Sequence, residues 1–219
     1  YTLTDADGDS STANLVLQIH NNDDPTTIGG LNVQGGELTV FEKNLSDGSS
    51  PNAPALTQNG TFTVSALDGV TSLSVGGITV VSGGVAAGLP QSISTPLGST
   101  LTVTGFNAAT GVVSYSYTLN DNEAHPTANG ANSLPEQFAV TVVDDNGSTA
   151  TGSLDVTIVD DLPRGVDDSN ISTASETQLT LSGNVLSNDV QGADRVMVGE
   201  NAGPITPGTF TGTYGTLVL

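Results

Sequence analysis

The stretch Phe138-Ala139-Val140-Thr141-Val142-Val143-Asp144-Asp145-Asn146-Gly147, followed closely by Leu154-Asp155-Val156-Thr157-Ile158, sets apolar residues at alternate positions on both sides of an acidic Asn-Gly turn. A period of two sends successive side chains to opposite faces of an extended chain, so each run reads as a strand with one apolar face. Asn-Gly tolerates the positive φ of a tight hairpin.

The same signal recurs on either side of it. Period-two runs stand at Leu15-Leu17-Ile19, Leu38-Val40, Phe62-Val64, Val75 with Ile78-Val80, Leu101-Val103 and Val113-Tyr115-Tyr117-Leu119. Two more lie downstream, at Leu179-Leu181 and Leu217-Leu219. Gly, Asn, Asp, Ser and Pro clusters separate them, the residues that make turns. No segment carries a helical stripe. Short strands at regular spacing predict an all-β chain of antiparallel, Greek-key β-sandwiches.

An internal repeat divides the chain. Leu3-Thr4-Asp5-Ala6-Asp7-Gly8-Asp9-Ser10 corresponds to Val142-Val143-Asp144-Asp145-Asn146-Gly147-Ser148-Thr149, an offset of 139 positions (144 − 5). The same shift sets Leu15, Leu17 and Ile19 on Leu154, Val156 and Ile158. Both copies close on acidic residues and proline, as Asn21-Asn22-Asp23-Asp24-Pro25 and as Asp160-Asp161-Leu162-Pro163. The predicted organisation is the last strands of one sandwich in 1–25, a complete sandwich in 26–163, and the first part of another in 164–219. Residues 1–25 are expected to complete 164–219, within one molecule or head to tail between neighbours, unless a further segment does so. Tyr1 falls inside a strand-like pattern rather than a leader, so the sequence reads as part of a longer chain.

Composition narrows the partners. Asp and Glu number 23 against three Lys and Arg, for a formal charge of −20. Nucleic acid and anionic membranes need clustered cations, which are absent. Such charge opposes compaction, yet 36% of the residues are hydrophobic and fall in ordered runs. Bound cations are the expected source of the missing positive charge. The lack of cysteine excludes disulfides, thiolate catalysis and thiolate metal sites. No apolar run approaches the ~18 residues of a membrane span.

Calcium takes six to eight oxygen ligands, and alternating Asp residues in a bend gather several. Asp5, Asp7 and Asp9, with Gly8 at the bend, have that form, although the loop is not an EF-hand because Ser10 and Val16 occupy its sixth and twelfth positions. Asp144 heads a thinner copy. The same sequences also make metal-free turns. The predicted junctions are richer. Asp23 and Asp24 precede the complete sandwich; Asp160, Asp161, Asp167 and Asp168 follow it. Glu42 is expected to reach back to the first junction, and Glu176 to the second. Asp189 is a further candidate. Four carboxylates within nine positions repel strongly unless a cation bridges them. An unbridged acidic linker is flexible and a bridged one stiff.

Asn21-Asn22-Asp23-Asp24-Pro25 resembles the cadherin linker, in which acidic and amide side chains at a domain boundary share calcium. Val40-Phe41-Glu42-Lys43-Asn44-Leu45-Ser46-Asp47-Gly48, Gly60-Thr61-Phe62-Thr63-Val64 and Asp68-Gly69-Val70-Thr71-Ser72-Leu73-Ser74-Val75-Gly76-Gly77 resemble the long repeat of type I secretion target proteins. Gly183-Asn184-Val185-Leu186-Ser187-Asn188-Asp189 and Tyr214-Gly215-Thr216-Leu217 are similar to VCBS and cadherin-like bacterial repeats. The resemblance implies tandem Ig-like or cadherin-like sandwiches of an RTX-type adhesin, exported by type I secretion to the bacterial cell surface and serving adhesion and biofilm formation. The glycine-rich nonapeptide of RTX calcium rolls is absent.

Three functions compete. A calcium-rigidified extender touching adjacent repeats of its own chain is the primary expectation. A calcium-dependent module for surface glycan or peptide ligands is the second, using Gly83–Gly98 and Asn120–Leu134 as its loops. A split scaffold of the same adhesin is the third. An enzyme is not expected: no nucleophile elbow, zinc-protease helix or phosphate loop occurs. His20 and His125 read as surface residues, and 4% aromatic content with no Trp is a poor start for a glycosidase cleft.

Overall fold

A computed structural model describes residues 1–17, 24–126, 130–169, 175–194 and 208–218. Its strands, in chain order, are β1 (Thr2–Thr4), β2 (Ser10–Thr12), β3 (Thr27–Gly29), β4 (Leu38–Phe41), β5 (Thr57–Ser65), β6 (Val70–Val75), β7 (Ile78–Ser82) and β8 (Val85–Ala86). There follow β9 (Gln91–Ser94), β10 (Thr100–Asn107), β11 (Val112–Thr118), β12 (Ser133–Asp144), β13 (Thr149–Val159), β14 (Thr209–Gly212) and β15 (Gly215–Val218). Two short 3₁₀ turns, Glu42–Asn44 and Ala53–Leu56, are the helical elements among the described residues.

Strands β3 to β13 form a sandwich. One sheet has the order β3-β5-β11-β10-β9, the other β4-β13-β12-β6-β7-β8. Alternation decides which side chains meet between them. From the first sheet come Phe62, Val64, Leu101, Val103, Val113, Tyr115 and Tyr117; from the second, Val40, Val75, Val80, Phe138, Val142, Leu154, Val156 and Ile158, all buried. Tyr117 meets Phe138 across the core at 6.2 Å and 50°, the tilted arrangement that aromatic quadrupoles favour. The wet face of the first sheet carries hydroxyls, paired between strands at Thr57–Thr118 and Ser92–Thr102 (both 2.8 Å).

The all-β sandwich expected from the alternation is present. Its pairing departs from the antiparallel expectation at one point, where β4 runs parallel to β13. Some predicted strands are also different. Leu15 and Leu17 are exposed and unpaired, as is Leu179, and Leu181 likewise lies outside any strand. Alternation alone does not make a strand when no ladder partner lies alongside. Ile19 lies outside the described residues. The stretch Gly83–Gly98, expected to be irregular, contains the ordered edge strands β8 and β9. Among the described residues, strands β1 and β2 pair only with each other, as do β14 and β15.

The two loops related by the repeat close identically. The Asp5 N–H donates to the Asp9 carbonyl (2.9 Å), and the Asp144 N–H to the Ser148 carbonyl (3.0 Å). In each, the leading carboxylate accepts the amide four residues on, from Asp9 (2.9 Å) or Ser148 (2.8 Å). Gly8 and Gly147 supply positive φ, 103° and 91°.

Gly60 lies opposite Tyr115 in the ladder, where a Cβ would sit 2.4 Å from the phenol ring. Gly60→Ala is therefore expected to lower unfolding free energy by about 1–3 kcal/mol in urea melts. Gly105→Ala, with open space at its Cβ, should change it by less than about 1 kcal/mol.

Candidate metal centre

The parallel register of β4 and β13, with Val40 beside Ile158 and Phe41 beside Val159, brings the residues after both strands to one pole of the sandwich. Those residues are Glu42 and Asp160. The loop that leaves β11 at the same pole adds Glu123 and His125. Glu42 is fully buried, at 0% exposure. Its Oε1 accepts the Glu123 N–H (2.6 Å) and lies 3.1 Å from His125 Nε2. Its Oε2 has no partner, and neither do Glu123 Oε1 and His125 Nδ1, all of them buried atoms. Glu42, His125 and Asp160 each bring a donor atom within 4.8 Å of the others.

Unmet polar atoms in a dry site are costly, and ionised ones more so. Burial pushes the Glu42 carboxyl above its ordinary range, against the Glu123 amide and His125, which favour its charge. Burial, followed by the charges of Glu136, Glu42 and Asp121, pushes Glu123 to about 7. Asp160 is raised by burial first and by Asp194 beside it. The chain thus gathers carboxylates that resist ionisation together, and a cation among them reverses that preference.

Asp161 behaves differently from its neighbour. Its Oδ1 accepts the Ser49 hydroxyl (2.5 Å); its Oδ2 accepts the N–H groups of Ser49 (2.6 Å) and Ala193 (3.1 Å). Three protein donors thus meet this carboxylate, and through them Asp161 ties the sandwich to the segment after it. Beside this tie, Asn122 Nδ2 donates to Asp194 Oδ1 (2.5 Å).

The other candidates are dispersed. Glu42 was expected at the first junction; it stands at the second, because β3, residues 30–37 and β4 together carry the chain from one pole to the other. Asp24 lies at the opposite pole, its N–H donating to Asp68 (3.0 Å), and Asp23 lies outside the described residues. Asp144 also lies at that opposite pole. It accepts from the Thr26 hydroxyl (2.7 Å) and the amides of Asn146 and Ser148, bonds that hold its carboxyl below the usual range, Thr26 most of all. Asp5, Asp7 and Asp9 converge but are fully exposed. Asp189 accepts the Val166 N–H (2.7 Å); Asp167 and Asp168 are exposed, as is Glu176. His125, expected at the surface, has a side chain only 4% exposed; His20 lies outside the described residues. The sequence reading missed Glu123 altogether. The acidic loop Asn120-Asp121-Asn122-Glu123-Ala124-His125 was its available signal.

Carboxylate oxygens with empty acceptor positions suit a hard divalent cation, and calcium's flexible coordination accepts ligands from separate loops. No family model, curated protein or solved structure matches the chain.

Two expectations follow from this geometry. Asp161→Ala removes charge-assisted bonds to Ser49 and Ala193 and should lower stability by roughly 1.5–3 kcal/mol, with faster amide exchange at both residues. Glu123 has its pKa raised in the fold, so the stability linked to it is complete below about 4.5 and lost as pH rises through about 7. In chelator, the melting temperature should therefore fall between these values, and Glu123→Gln should flatten that part of the profile.

Proposed function

We propose that this chain is a calcium-rigidified extender of a secreted bacterial surface adhesin, and that its work is mechanical rather than catalytic. The buried, unpartnered Glu42 carboxyl oxygen supports this reading most directly, because it stands with Asp160 where the chain leaves the sandwich. Glu42, Glu123 and Asp160 would hold the ion, with Asp194 joining from the following segment. Calcium bound there would neutralise the pole and fix the direction in which the chain departs. The resemblance of residues 30–163 to type I secretion repeats supplies the export route and the cell-surface setting. Among the described residues no helix is long and apolar enough to cross a membrane.

Extracellular calcium modules bind at about 10⁻⁴–10⁻³ M, so such a site fills outside the cell and empties in the cytosol. An ion present at 100 times its dissociation constant adds about 2.7 kcal/mol. Calorimetry should therefore show the melting temperature rising by roughly 5–10 °C from EGTA to excess calcium. Glu42→Gln should remove most of the rise. An identical melt in both conditions would end the proposal. Saturable, chelator-sensitive binding on a glycan array or peptide panel would replace the extender with a ligand-binding module.

A further inference from the structure

Among the described residues the cluster at this pole contains one imidazole, which calcium does not require. His125 is one of two histidines in the sequence, and its side chain is only 4% exposed beside the fully buried Glu42. Calcium sites in proteins are built from oxygen, whereas imidazole with carboxylates is a donor set for first-row transition cations. We propose that Glu42, His125 and Asp160 form a transition-metal site within this junction, which takes Zn²⁺ in preference to calcium.

Three observations carry the assignment. The donor atoms of the three residues lie within 4.8 Å of one another, close enough to share one ion. Glu42 Oε2 and His125 Nδ1 are both buried and lack partners. Neither tautomer of the ring satisfies the site. With the proton on Nε2, that nitrogen donates to Glu42 and Nδ1 is left with a buried lone pair that nothing meets. With the proton on Nδ1, a buried N–H is orphaned and the Nε2 lone pair faces the Glu42 oxygen at 3.1 Å. A cation bound at Nδ1 removes the conflict, because the buried lone pair then has a partner while Nε2–H donates to Glu42. Two carboxylates and one imidazole are three protein ligands, leaving room for water in the fourth position.

This inference shares its residues with the calcium reading, and the two can fail separately. Isothermal titration of the metal-free protein with Zn²⁺ should show a site whose apparent affinity weakens in proportion to added calcium. His125→Gln should weaken Zn²⁺ by at least about tenfold while the calcium-dependent melt shifts its midpoint less than twofold. His20→Gln should bind zinc as the parent does. His125→Asn provides a second variant, with folding of both checked by circular dichroism. In the unsubstituted protein, zinc should shift the His125 ring protons in NMR spectra, a readout that does not depend on any variant folding. Zinc binding unchanged in His125→Gln, or lost only in His20→Gln, overturns the inference. A calcium response without a zinc site sinks it alone; a zinc site without a calcium response sinks the extender reading alone.

Discussion

Negative charge without internal compensation is the constraint that organises this molecule. With 23 acidic side chains and three Lys or Arg, most carboxylates cannot find a basic partner. The fold answers by keeping its walls neutral. Among the described strands only Glu136, Asp144 and Asp155 are charged, and each is met by protein donors. Glu136 accepts from the Tyr117 hydroxyl (2.7 Å) and the Leu97 amide (3.1 Å). Asp155 accepts from Ser153 and Gln137. Acidic residues without such donors are pushed into the connections at the two ends, where water or cations are the remaining counter-charge.

The dipeptide Asp160-Asp161 shows how finely that partition is drawn. Adjacent residues leaving a strand point in opposite directions, so one carboxylate turns towards Ser49 and Ala193 and accepts three bonds from N–H and O–H groups. The other faces Glu42 and His125, where donors are scarce. Sequence gives the two the same letter and the same prospects. Their environments divide them into a tether held by protein donors and a group that faces other titratable side chains.

Alternation made the sandwich legible, because a strand buried on one face must write its period into the sequence, as Val113-Tyr115-Tyr117 and Leu154-Val156-Ile158 do. It was less informative at the margins. Thr27–Gly29 contains a single large apolar residue, yet β5 recruits it as an edge strand. Leu15 and Leu17 alternate well and find no ladder. Pairing partners, rather than local preference, decide such cases. The candidate site was half legible for a related reason. Asp160 was read from its acidic neighbourhood and Glu42 from its proximity to a junction, but to the wrong junction. Their meeting, together with Glu123 and His125, depends on a parallel register that links segments more than a hundred positions apart in sequence. No local window contains that information.

The same parallel pair has a mechanical consequence. Strands β4 and β13 point towards one pole, and the chain enters the sandwich at the other. Tension applied through the two ends draws β4 back by its leading end and β13 forward by its trailing end. The pair is thus loaded along its length, in shear. Its four registered positions, Leu38 to Phe41 against Val156 to Val159, share the force instead of peeling apart one after another.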